Sequence, residues 1–71
     1  MNNDNILGDR IRFLRKEIGL SQEQLANKLN TTQDTISLWE LNKSFPDVVN
    51  IIKLCKLFDV SADFLLGLKE I

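Results

Sequence analysis

SQEQLANKLNTTQDTISLWE, residues 21–40, holds two short helical patterns joined by almost no chain. Ser21 reads as an N-cap, and Gln24 three residues on completes a capping box. A side-chain oxygen at the first position and an amide at the fourth satisfy N–H groups that a helix start leaves open. Leu25, Ala26 and Leu29 form the inner face of this helix. Asn30 follows, the residue besides glycine best suited to left-handed backbone. Thr32 is then placed to cap the next helix, expected from Gln33 to about Leu41.

At about 100° per residue, that second pattern divides into two arcs. Ile36 and Trp39 lie on one, with Thr32, Thr35 and, at its edge, Glu40. Gln33, Asp34, Ser37, Leu38 and Leu41 share the other. One face is therefore built for a core, and the opposite face carries groups that donate and accept hydrogen bonds.

Further helices flank this pair. Upstream, Leu7, Ile11, Leu14 and Ile18 form one stripe over residues 6–18. Gly19 suits a left-handed C-cap, and Leu20 can close a Schellman turn. Downstream, Asn42 suits a helix terminator and Pro46 forbids continuation. Asp47 then caps a fourth helix in which Val48, Ile51, Cys55 and Phe58 keep helical spacing. Ser61 opens a short fifth helix through Leu65 and Leu66, closed by Gly67. No segment alternates with period two for long enough to suggest a strand, so the expected fold class is all-α with five helices.

Composition narrows the chemistry. The chain has 71 residues and 44% hydrophobic content, enough for one domain with a modest core. With no histidine and one cysteine, Cys55, it lacks the residues for a disulfide scaffold, a zinc site or a Cys/His nucleophile. Its ten carboxylates show no metal-ligand spacing, so no cofactor or metal is expected. No apolar run approaches membrane-spanning length and no signal-peptide pattern opens the chain, which fits a cytoplasmic location. The formal net charge is −1, so total charge gives no pointer to nucleic acid. Local charge does: Lys28 and Lys43 flank the central pair, and Arg10, Arg12 and Lys16 ride the outer side of the first helix.

A connection as short as Asn30–Thr31 makes two helices cross steeply, the geometry of a helix-turn-helix. In that motif the second helix enters the DNA major groove and its N-terminal residues meet base edges. Glutamine can bond N6 and N7 of adenine together, aspartate can accept from the N4 amine of cytosine, and leucine can touch a thymine methyl.

Residues 7–67 resemble the Cro/Xre-type helix-turn-helix domains of phage and bacterial repressors. The resemblance is carried by LGDRIRFLRKEIGLSQEQLANKL, TTQDTISLWE, the NKSFP loop and the closing KLCKLFDVSADFLLG. It implies a compact, lambda-repressor-like five-helix domain over 6–67, with 1–5 and 68–71 as short terminal tails. It also implies operator binding on double-stranded DNA, usually as a homodimer, by a transcriptional regulator expected to repress rather than to catalyse. Gln33, Asp34, Ser37 and Leu38 fall at positions that face bases. Gln22, Thr35, Asn42 and Lys43 fall near the sugar-phosphate backbone, together with exposed main-chain N–H groups of the 42–44 loop. Arg15 and Glu40 match a salt bridge between the first and third helices.

Several positions depart from the family pattern. Asn30 and Asn42 stand where glycine is usual. Leu38 and Leu41 replace basic or polar residues, Phe45 puts a large apolar group in the loop, and Asp34 would repel phosphates unless it is paired or reads cytosine. The plainer readings are a solvated helix face for residues 33–38 and a small buried hydrophobe for Cys55. The alternative function is a protein-interaction module, an antirepressor or an antitoxin-type partner, favoured by Asp34, Leu38 and Leu41. Candidate dimer residues are Phe64, Leu68 and Ile71, which supply apolar area that so short a domain cannot fully bury.

Overall fold

The computed structural model describes residues 6–70. Five helices follow one another: α1 Leu7–Glu17, α2 Gln22–Leu29, α3 Gln33–Glu40, α4 Val48–Phe58 and α5 Ala62–Leu65, with no strand among the described residues. Four helix starts use the expected caps. Ser21, Thr32, Asp47 and Ser61 each accept a hydrogen bond from the main-chain N–H three residues on, and Gln24 returns the bond to the Ser21 N–H at 2.8 Å, completing the capping box. α1 ends in a Schellman turn. Gly19 takes φ 76°, and the Leu20 N–H reaches the Arg15 carbonyl at 3.0 Å. Asn30 and Asn42 adopt left-handed backbone at φ 60° and 58°, and so does Asp59 at 57°, which the periodicity did not single out.

Every helix contributes to one core. Leu7 and Ile11 meet Leu25, Ala26 and Leu29, Ile36 and Trp39, Leu54 and Phe58, and Leu65. The facing of α4 differs from the expected stripe. Val48 is 73% exposed while Leu54 is fully buried, so Ile51, Leu54, Cys55 and Phe58 make the inner arc. VVNIIKLCKLF is apolar on nearly every side, so its own periodicity does not select a face; packing against the other helices does. Ile18, expected on the α1 stripe, is exposed. It is the C-cap residue, where the chain leaves helical geometry, and Leu20 packs on the core instead.

Gly8 sets how closely α1 approaches the end of α3. A Cβ there would overlap the Trp39 carbonyl oxygen and lie 2.7 Å from Asn42 Oδ1. The Gly8 N–H also donates to Asn42 Oδ1 at 3.0 Å. The first turn of a helix leaves its N–H groups without intrahelical partners, and the turn after α3 supplies one.

Candidate nucleic-acid interface

The α2–α3 junction is held by local bonds. Asn30 and Thr31 donate back to the Asn27 and Ala26 carbonyls at 3.2 and 2.9 Å. Thr32 Oγ1 receives the Thr35 N–H at 3.2 Å and lies 2.9 Å from Thr35 Oγ1. Three residues thus turn the chain from one helix into the next with each step bonded. On α3, Ile36 and Trp39 point into the core while Gln33, Asp34 and Leu38 are exposed and Ser37 is half-buried.

Beneath this face lies an ion pair. Arg15 Nε donates to Glu40 Oε2 at 2.6 Å and Nη2 donates to Oε1 at 3.0 Å, a two-pronged contact, while Nη1 donates to the Leu20 carbonyl at 2.7 Å. Both side chains are buried, at 9% and 4% exposure. The hydrogen bond that Arg15 donates to Glu40, aided by the carboxylate's charge, raises the Arg15 pKa against the opposing effect of burial. The pair ties α1 to the C-terminal end of α3 and so contributes to the angle at which α3 is presented.

Gln22, at the first position of α2, is half-buried and joins this pair. Its Nε2 donates to Glu40 Oε1 at 3.1 Å, and its Oε1 accepts from Gln33 Nε2 at 3.4 Å. Arg12, Lys16, Ser37 and Leu41 surround it in a cleft of about 290 Å³ floored by Arg15 and Glu40. Arg12 and Lys16 stand one turn apart on α1, where like charges repel, and an anion between them would relieve that repulsion. The cleft therefore adjoins the polar face of α3 and carries positive charge. A shallow depression of about 370 Å³ beside α5 has Asp59 and Glu70 in its lining, the wrong sign for a phosphate.

Three expectations change. The main-chain N–H groups of residues 42–44 are not exposed donors: Asn42 bonds to the Trp39 carbonyl at 3.0 Å, and Lys43 and Ser44 bond to the Leu38 carbonyl at 2.9 and 3.3 Å. The end of α3 leaves carbonyls that need donors, and the loop folds back to supply them. Asn42 has its Oδ1 committed to Gly8, which leaves Nδ2 as its remaining side-chain donor, whereas the Lys43 side chain is exposed. Arg10 is not a spare surface cation. Its Nη1 donates to the carbonyls of Phe64 and Lys69, and its guanidinium lies over the Phe64 ring at 4.2 Å. Among the expected dimer residues, then, Phe64 is half-buried under Arg10 and Leu68 is 73% exposed, while Ile71 lies outside the described residues. A second apolar stripe, Phe45, Val48, Val49 and Ile52, is also exposed.

Sequence reasoning missed two linkages, Gly8 with Asn42 and Gln22 with Glu40. A glycine inside a helical pattern was the available signal for the first, because it marks a close approach. The second carries no sequence signal, since its partners are 18 residues apart and meet only when α2 and α3 cross.

A family profile described as a helix-turn-helix domain matches residues 8–71. The chain is 37% identical over 65 residues to the HTH-type transcriptional regulator ImmR of Bacillus subtilis, covering 92% of this chain and 51% of that protein. It therefore spans about half the length of that relative. The P22 c2 repressor of Salmonella phage P22, solved in complex with a synthetic operator, superposes with a TM-score of 0.80 at 33% identity, covering 84% of this chain and 91% of the solved one. SinR of Bacillus subtilis, solved in complex with DNA, superposes with a TM-score of 0.76 at 34% identity, covering 84% and 97%.

Proposed function

The chain belongs to the helix-turn-helix domain family, and from that premise we propose that it binds operator DNA as the DNA-reading unit of a transcriptional regulator, a repressor acting as a two-fold homodimer. The observation that carries this reading is the face of α3. Gln33, Asp34 and Leu38 are open and Ser37 is half-buried, on a helix whose other side is locked by Ile36, Trp39 and the Arg15–Glu40 pair. Gln33, Asp34, Ser37 and Leu38 read bases. Gln22, Thr35, Asn42 and Lys43 set the register on the sugar-phosphate backbone, Asn42 through Nδ2 and Lys43 through its ammonium. With a net charge of −1, one copy makes few phosphate contacts, so two copies on half-sites ~34–36 Å apart are needed for tight binding. Among the described residues of the expected dimer surface, Leu68 is the one open to a second copy. The protein works in the cytoplasm and is not an enzyme; no helix of the described residues is long and apolar enough to cross a membrane.

The experiment is selection from a random duplex pool at low salt, with the native chain and with Gln33→Ala. A two-fold symmetric site, altered at one position per half in the variant, supports the proposal; no enrichment at all refutes it for this chain. The exposed stripe Phe45, Val48, Val49 and Ile52, together with Leu38 and Leu41, favours a second reading, a protein-interaction module of antirepressor or antitoxin type. Loss of a protein partner in a Leu38→Ala, Leu41→Ala variant that still binds DNA would support that module.

A further inference from the structure

Among the described residues, α1 is the helix that does not cap its own start. Ile6 stands at its N-cap with no side-chain bond, whereas α2, α3, α4 and α5 each begin on a Ser, Thr or Asp that accepts from the third residue on. An acceptor arrives instead from 34 residues away: the Gly8 N–H donates to Asn42 Oδ1 at 3.0 Å. The direction of this bond fixes the Asn42 amide. A main-chain N–H only donates, so the atom it meets is the oxygen, and the NH2 group is turned away from Gly8. The left-handed backbone of Asn42, at φ 58°, and the close approach of Gly8 hold the side chain in that place. Among the described residues Nδ2 meets no acceptor, and no buried side-chain nitrogen or oxygen among them lacks a partner, so Nδ2 lies at the surface. Lys43, next along the loop, is exposed and sets a positive charge beside it.

We infer that the start of α1 positions a DNA backbone contact: by taking Oδ1, the Gly8 N–H obliges the loop after α3 to offer phosphate a donor, Asn42 Nδ2. The inference deepens the operator-binding reading and rests on it. A phosphate oxygen only accepts, so an amide turned the other way would set two oxygens against each other. The bond to Gly8 settles the orientation before DNA arrives, and the ordering of the side chain is met in folding rather than in binding. Glycine, usual at this position in the family, supplies left-handed backbone but neither half of the link, so the contact belongs to Asn42 of this chain. Asn42 touches the phosphate, and Gly8 acts through it as a positioning residue. Such a contact carries no base information; it adds affinity and fixes register.

The test compares the whole native chain with Asn42→Asp and Asn42→Gly. Thermal melting is followed by circular dichroism, binding is measured on a duplex carrying the selected site, and contacted phosphates are mapped by ethylation interference. Aspartate keeps an oxygen for the Gly8 N–H, at a helix start that favours negative charge, but has no N–H for phosphate. Asp59 takes the same backbone in this chain, at φ 57°. Glycine keeps the backbone and loses both bonds. Asn42→Asp is therefore expected to melt at or above the native temperature, and Asn42→Gly about 4–8 °C below it, the shift that one lost helix cap gives in a domain of this size. Both variants are expected to bind about tenfold more weakly or worse, and one phosphate per half-site whose ethylation blocks the native chain should cease to matter in either. If Asn42→Asp melts as low as Asn42→Gly, the oxygen does not serve α1 and the inference is overturned. An interference pattern identical in all three proteins overturns it as well, since weaker binding would then reflect only added charge or lost stability. If the native chain binds no duplex, the operator-binding reading itself fails and the inference falls with it.

Discussion

Replacing Glu40 by alanine removes the acceptor for two Arg15 donors and one Gln22 donor, and strands a guanidinium whose side chain is 9% exposed. One of its bonds survives, from Nη1 to the Leu20 carbonyl. Taking one partner from a buried ion pair costs ~3–5 kcal/mol, chiefly because the remaining charge is desolvated without compensation. A 71-residue domain has a total stability of ~4–11 kcal/mol at ~0.05–0.15 kcal/mol per residue. The single change therefore consumes roughly a quarter or more of that stability and brings the fold toward its limit. Urea unfolding followed by circular dichroism reads the effect as a lower midpoint at unchanged slope. The double replacement Arg15→Met, Glu40→Leu is expected to recover most of the loss, since apolar groups of similar volume can substitute for a buried pair at little cost. A loss below ~1 kcal/mol for Glu40→Ala, the range of an exposed pair, would refute the claim that burial gives this contact its weight. Failure of the double variant to recover would show that the bond to Leu20 or the link to Gln22 matters more than the pair.

Three further outcomes are expected. Gly8→Ala pushes a methyl into the Trp39 carbonyl and the Asn42 side chain and should cost ~1–3 kcal/mol, read as a fall in melting temperature. Arg10→Ala gives up the bonds to Phe64 and Lys69 and the contact with the Phe64 ring. Limited proteolysis should then cut after α5 faster than in the native chain. Burial pushes the Cys55 thiol pKa up, so iodoacetamide should label it slowly in the folded protein and readily in urea. The folded state holds this proton more tightly than the unfolded state does. Stability is therefore unaffected by Cys55 below the unfolded thiol pKa and falls as pH rises past it, which melting at rising alkaline pH will show.

Much of the secondary structure was legible because its causes are local. Ser21, Thr32, Asp47 and Ser61 cap helices through bonds to N–H groups three residues away, and Gly19, Asn30 and Asn42 end them through their own tolerance of left-handed backbone. The polar face of α3 was legible for the same reason: Ile36 and Trp39 mark one side and Gln33, Asp34 and Leu38 the other. Where a helix is apolar all round, as in α4, that logic stops, and Leu54 rather than Val48 turned inward.

The sequence by itself determined where helices begin and end, the five-helix order, and which residue types reach the surface of α3. Only the tertiary structure decided how the polar groups are spent. Arg10 went to the C-terminal segment, the 42–44 N–H groups to the end of α3, and Gln22 to Glu40. The physical reason is that a helix cap is satisfied within a few residues, whereas a buried charge or an orphaned carbonyl is satisfied by whatever the packing of distant segments brings within about 3 Å.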